Sequence, residues 1–380
     1  MHETGRYLFL YLKTGGGHLA PARSLKEHLG REFPDAGKVV LHDGFTGAPH
    51  SLRFLVEDSY RWMQSSARWL YACIYALNKI PFVRKASARA VSRVIMNDLE
   101  EYILRERPSK IAVFHFLLIE PVFEILSRHN LNIPTVVVVT DPFTAHPIWF
   151  QRKNVHFVLF SQRLRSYCHR LGIPDSQLRV FPFILDTRFT RAQSPEETSC
   201  VKRGLSLDSS KKVVLILGGG DGMPRGLKIL RRLARLTPTA QIVMICGRDM
   251  KLYRRACALR EKEGGQYLKI YGFIDTVHEF LKVADVVVTK CGASTFMEIL
   301  CCGKIPVVNR YLWEQERGNV EFLLSRTIGI YEHSIRQLSR VVERLLTDGE
   351  TTRRMTQNIV SAKVENGVGA VSNFLLQFEG

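Results

Sequence analysis

The sequence predicts an α/β protein of two doubly wound domains, and three observations carry that prediction. Short β-branched runs alternate with helix-like patterns along the whole chain, as in sheets built from strand–helix–strand units. The runs "PTVVVVTD" and "KKVVLILGGG" are apolar without alternation, which suits parallel strands buried on both faces. The chain also opens twice in the same way. A strand, three glycines and a helical stretch stand near the start, and the same succession recurs from residue 212.

Taken in order, strands are expected at 7–12, 38–42, 110–114, 135–140, 156–160 and 179–181. After a polar stretch they are expected at 212–217, 241–245, 268–271, 286–289 and 305–308. Residues 186–212 lack a strong period and are rich in Ser, Thr and charge, which marks a link between domains. The expected division is therefore 1–190, a linker at 191–211, and 212–380, with the last helix packing back on the first domain. Two Rossmann-like halves facing across a cleft would bind ligands in it.

Composition narrows the class. With 380 residues, 46% hydrophobic and 24% charged, the chain has ample core for two domains. The net charge is +18. Residues 1–190 hold 25 Lys and Arg against 16 acids and the remainder 29 against 20, so each half carries +9. Nucleic acid, an anionic membrane surface or phosphorylated substrates all suit such a charge. No run of 18 apolar residues appears, and the start lacks a cleavable signal pattern. Eight cysteines show no C-x-x-C pairing. Cys73, Cys168, Cys246 and Cys291 lie in apolar runs and read as small buried hydrophobes of a reducing cytosol.

The first glycine turn admits several readings. Gly15, Gly17 and Ala20 satisfy G-x-G-x-x-A after a strand, and Asp43 closes the next strand where a nicotinamide enzyme would bind a ribose. A tight turn, a phosphate nest and a loop shaped for an acceptor compete with that oxidoreductase reading. His18 weighs against a dinucleotide, which has no need of an imidazole there, whereas a transferase needs a base near neutral pKa. The bland reading is a structural loop histidine.

The second half offers a denser constellation. In "VVVTKCGASTFMEIL" a buried strand leads to Gly292, Ser294 and Thr295 at a helix start, a good site for a diphosphate. Glu298, one turn on, either accepts both hydroxyls of a ribose or complements the helix dipole. Gln315, Glu316 and Asn319 suit sugar hydroxyls or form a solvated stretch. "TDPFTAHPIWF" places Asp141, His146 and Trp149 after the fourth strand, where they would line the cleft and meet the acceptor.

Residues 51–94 break the α/β rhythm, with eight Lys or Arg against two acids and interleaved Trp62, Trp69, Tyr71, Tyr75 and Phe82. A helix lying on an anionic bilayer through Arg61, Arg68, Arg84 and Lys85 is one reading. A helical insertion with core aromatics is the other. Base stacking fits poorly, because the aromatics are at helical spacing, so no nucleic-acid partner is expected.

Together, "TGGGH", "TDPFTAHPIWF", "GFIDTVHEFLKVADVVVTKCGASTFMEIL" and "EQERGN" resemble the monogalactosyldiacylglycerol synthase and diacylglycerol glucosyltransferase family. That family has the GT-B fold and is related to the GlcNAc transferase of lipid II synthesis. The resemblance covers almost the whole chain. It implies an inverting enzyme at the cytoplasmic face of a membrane, peripheral to it, that moves galactose or glucose from UDP-hexose to diacylglycerol. It implies no further cofactor and no metal, and an anionic phospholipid membrane as partner. Gly272, Phe273 and Ile274 would border the uracil, Ser294 and Thr295 the diphosphate, Glu298 the ribose, and Gln315 and Glu316 the hexose. Gly17, Gly219, Gly220, Gly247, Lys290, Gly292 and Asn319 complete the donor set, and His18 would be the base. The rivals are a nicotinamide-dependent oxidoreductase and a non-catalytic basic surface-binding protein.

Overall fold

A computed structural model describes residues 5–13, 16–47, 73–74, 76–190, 194–236, 240–263 and 265–380. They fall into two units, Met1–Asp186 with Asn366–Gly380, and Thr187–Glu365.

The first unit is built on β1 (Arg6–Tyr11), β2 (Lys38–Asp43), β3 (Lys110–Val113), β4 (Thr135–Val138), β5 (His156–Leu159) and β6 (Leu178–Val180). They form one parallel sheet in the order β2-β1-β3-β4-β5-β6. Helices α1 (Gly16–Glu32), α2 (Pro81–Glu106), α3 (Ile119–Arg128) and α4 (Gln162–Arg170) cover it. In α3, Ile119, Val122, Ile125 and Leu126 recur at helical spacing and are all buried, the stripe that docks a helix on a sheet. The Ser161 hydroxyl accepts from the Leu164 amide and fixes the start of α4. Helix α2 changes character along its length. Ile95, Met96, Leu99 and Ile103 are core, while Phe82, near its start, is 81% exposed.

The second unit repeats the plan with β7 (Val213–Leu217), β8 (Gln241–Ile245), β9 (Leu268–Tyr271), β10 (Val286–Lys290), β11 (Ile305–Arg310) and β12 (Ile330–Tyr331). Its sheet is parallel, in the order β12-β11-β10-β7-β8-β9. Its helices are α5 (Pro195–Gly204), α6 (Gly226–Leu236), α7 (Met250–Lys262), α8 (Val277–Val283), α9 (Ala293–Cys301), α10 (Trp313–Ser325), α11 (Ile335–Thr347) and α12 (Gly349–Ser361). Strands β7 and β8 are buried at every position, as continuous apolar runs require when helices lie on both faces.

Two readings of the sequence, the linker and Cys73, are corrected. The expected linker contains α5, capped by Ser194 through the Glu197 amide, and belongs to the second unit. The sequence "SPEE" is itself an N-terminal signature. The last helix, α13 (Val368–Gln377), belongs to the first unit. Lys110 Nζ donates to the Leu375 and Leu376 carbonyls at its end, and Gly367 donates to the Phe183 carbonyl before it. Cys73 is exposed, unlike Cys168, Cys246 and Cys291, which are buried and free.

Candidate active site

In both sheets the strand order reverses beside the first strand, and doubly wound proteins bind ligands at that point, outside the carboxyl ends of the strands. In the first unit the reversal lies between β1 and β3. His18, three residues into α1, is buried there. Thr140 Oγ1 lies 2.7 Å from its Nδ1, and the His115 ring meets it edge-on with centroids 4.5 Å apart. Burial lowers the His18 pKa to about 4, although the Phe114 carbonyl, accepting from the ring, works the other way. The expectation of a near-neutral base therefore fails for the unliganded unit. His18 stands neutral because a buried imidazolium would lose its hydration. His115 is held well below its ordinary value by burial and then by His18. Its Nδ1 accepts from the Leu117 amide, so the proton of its neutral ring sits on Nε2. His146 Nδ1 accepts from the Ile148 amide in the same manner.

Asp141 and Trp149 belong to this cluster as a pair. The indole Nε1 donates to Asp141 Oδ2 at 2.9 Å, and Trp149 is 0% exposed. It therefore meets neither membrane nor solvent, and its work is to hold the Asp141 carboxylate. At Gly17 an added Cβ would meet nothing within 4 Å, so the unit's own packing does not demand glycine there. Asp43 is engaged elsewhere, accepting from the Phe45 amide and pairing with Lys13 at 3.3 Å. The ribose role that the nicotinamide reading gave it is filled by protein.

In the second unit the reversal lies between β7 and β10. Gly219 has φ +77°, a conformation that favours glycine, and a Cβ there would lie 3.4 Å from Thr295 Oγ1 and 4.0 Å from Lys290 Cε. Gly247 (φ +59°) lets the chain after β8 press on Gly220, whose carbonyl accepts from the Arg248 amide at 2.8 Å. A Cβ on Gly292 would lie 3.6 Å from Glu316 Oε1. Gly219, Lys290, Gly292, Thr295 and Glu316 are thus brought together. Gly292 offers no side-chain cap to α9, and helix geometry leaves the first amides without intrahelical acceptors. Ser294 is buried beside them, and its Oγ has no hydrogen-bond partner among the described residues. Glu298 lies half-buried one turn further along α9.

Other residues take different roles. The Glu316 carboxylate accepts from the Leu312 amide and caps its own helix, with Gln315 half-buried beside it. Asn319 is buried and donates to the Cys291 carbonyl at 2.8 Å, so it braces the turn before Gly292 and shows no amide to solvent. Phe273 is half-exposed between Gly272 and the partly buried Ile274. Arg248, which the sequence reading missed, holds its guanidinium 4.6 Å from the Phe273 ring centroid. No motif announces it, since the partners stand 25 positions apart with α7 and β9 between them. Trp62, Trp69, Arg61, Arg68 and Gly15 lie outside the described residues, as do the side chains of Arg84 and Lys85. Among the described residues no group of three His, Cys, Asp or Glu side chains could hold a metal ion, and no helix is long and apolar enough to cross a membrane.

Comparison with known proteins bears on this geometry. The family "Monogalactosyldiacylglycerol (MGDG) synthase" matches residues 18–182, and "Glycosyltransferase family 28 C-terminal domain" matches residues 213–368. Monogalactosyldiacylglycerol synthase 2 of Arabidopsis thaliana is 27% identical over 361 residues, 90% of this chain and 73% of that protein. The synthase of Spinacia oleracea is 27% identical over 89% of this chain, which spans 65% of its length. Among solved structures, Anabaena HepE in complex with UDP-glucose aligns over 98% of both chains, with TM-score 0.59 at 13% identity. The fold is that of the GT-B glycosyltransferases.

Proposed function

We propose, from the match of residues 18–182 to the monogalactosyldiacylglycerol synthase family and of residues 213–368 to the family 28 glycosyltransferase C-terminal domain, a membrane-surface, inverting hexosyltransferase. It moves galactose, or glucose, from UDP-hexose to the sn-3 hydroxyl of 1,2-diacylglycerol and needs no further cofactor. The observation that carries this reading is the anion site at the head of α9. Uncapped amides, the partnerless Ser294 hydroxyl and Lys290 suit a nucleoside diphosphate. Ser294 and Thr295 then take the diphosphate, Glu298 the ribose, Phe273 and Ile274 the uracil edge, and Gln315 and Glu316 the hexose. The relatives' names and the UDP-glucose held by the Anabaena protein support the same substrate class.

In the reaction the acceptor oxygen attacks the anomeric carbon opposite the diphosphate. A new carbon–oxygen bond forms as the sugar–phosphate bond breaks, the electron pair leaves with UDP, and the proton passes to His18. Charge growing on UDP is met by the α9 terminus and Lys290. A neutral His18 is ready to accept, and an anionic substrate brought to it raises its pKa toward the useful range. Thr140 fixes the ring.

Association with the membrane, as a peripheral protein on its cytoplasmic face, draws support from Ile74, Leu77, Ile80 and Phe82, large apolar residues that are all exposed in a basic stretch. The test is product analysis by mass spectrometry after incubation with diacylglycerol vesicles and UDP-galactose or UDP-glucose. One hexose on diacylglycerol with equivalent UDP is the expected result. No glycolipid, together with a melting temperature raised by NAD and not by UDP, would restore the oxidoreductase reading.

A further inference from the structure

The positive charge of the second half is concentrated in one place. Residues 191–380 hold 29 Lys and Arg against 20 acids. Twelve of those basic residues lie on α6, α7 and α11, where Glu261 and Glu343 are the acids. Everywhere else in this half 17 basic residues face 18 acids, so three helices hold the entire excess.

These helices form one layer. The crossovers β7–α6–β8 and β8–α7–β9 step in the same direction along the sheet, and right-handed connections put both helices on one face. Helix α6 packs against α7 on one side and α11 on the other, and Arg232 Nε donates to Ser339 Oγ across the second junction. The apolar stripes turn inward, with Ile229 and Leu233, Leu252 and Ala256, and Leu338 and Val342 all buried. The cations therefore face out. Lys228, Arg231, Lys251, Arg255, Arg336 and Arg340 are exposed and form no ion pair among the described residues. Packed helices lie about 10 Å apart, close to the screening length at physiological salt, so the charges of neighbouring helices repel. An ordinary solvated face mixes both signs to avoid this.

We propose that the α7–α6–α11 layer docks the second unit on an anionic lipid bilayer. A layer of side-by-side helices with a single sign of charge matches a plane of anionic headgroups, which asks for cation density and no particular shape. Duplex nucleic acid asks for an element that enters a groove, and single strands for exposed aromatics. The aromatic residue on these three helices, Tyr253, is half-buried, while Met250 at the head of α7 is an exposed apolar residue. This surface belongs to the second unit, whereas residues 51–94 belong to the first, and the proposal does not depend on the transferase reading.

Flotation of the full chain with phosphatidylcholine vesicles, with and without phosphatidylglycerol, tests the proposal. The variant Lys228→Gln/Arg231→Gln/Arg255→Gln/Arg340→Gln should bind anionic vesicles about tenfold or more weakly than the parent, since each basic group near such a surface contributes several-fold. A control removing equal charge elsewhere in the unit, Arg203→Gln/Arg326→Gln/Arg353→Gln/Lys363→Gln, should bind nearly as the parent does. Unchanged melting and UDP binding would show that both variants are folded. Undiminished vesicle binding by the first variant, or equal loss in the control, would overturn the proposal. So would binding of a duplex oligonucleotide that the first variant loses while it keeps its vesicle binding.

Discussion

The two units open on the same plan, a parallel strand running into glycines and then a helix at the reversal of strand order, yet their chemistry differs. Beside β1 the residues that converge are imidazoles, an indole–carboxylate pair and a threonine, all buried. Beside β7 they are glycines with positive φ, hydroxyls, a lysine and an uncapped helix. The first arrangement keeps a base neutral and fixed, and the second receives negative charge. One backbone device therefore serves proton transfer or anion binding, and the side chains around it decide which.

Removing the base should produce the largest effect. His18→Ala is expected to lower glycosyl transfer by about 100-fold or more, the usual scale for a lost general base. Full activity in this variant would move the base to Asp141 or His115. On the other side, Glu298→Ala should weaken UDP binding by about 1.5–3 kcal/mol, as for hydrogen bonds to a charged group, measured by calorimetry. Unchanged affinity with a lower melting point would leave Glu298 only its role toward the helix dipole.

Acid should separate the two regions next. The His18 pKa in the folded unit, about 4, lies below its ordinary 6.5. Between those values the unfolded chain takes a proton that the folded unit refuses, so stability is intact above about pH 6.5 and falls as pH falls. The slope is about 1.4 kcal/mol per pH unit for each such histidine, and His115 is shifted in the same direction. Denaturant melts across this range should show it, and His18→Gln should remove its own share. A flat profile would mean that the ring is hydrated. Smallest is Arg248→Ala, expected to lower UDP affinity about two- to five-fold if the guanidinium only steadies Phe273, the scale of an exposed cation–π contact. A loss beyond tenfold for UDP but not for uridine would place it on the diphosphate instead.

Much of this was readable before the fold, for reasons that differ by residue. Unalternating β-branched runs such as 135–139 suit strands covered on both faces, and runs of that kind mark where the turns after them stand. His18, Ser294 and Thr295 are legible because each sits within a few residues of such a turn. Trp149 was misread because an aromatic in a polar loop looks solvent-facing until Asp141 is seen to accept from its indole. Thr140 as partner of His18, and Arg248 as partner of Phe273, depend on residues 122 and 25 positions apart. No local pattern encodes such pairs. The depressed pKa of His18 was likewise hidden, since burial and not neighbouring sequence produces it.

Calorimetry with UDP on His18→Ala and Glu298→Ala, beside their turnover, tests the division of labour between the two regions most directly. The predicted result is crossed: His18→Ala binds UDP within about twofold of the parent while transfer collapses, and Glu298→Ala loses the affinity. A His18→Ala protein that loses UDP binding as far as it loses turnover would contradict it, because the histidine would then serve the nucleotide and not the proton.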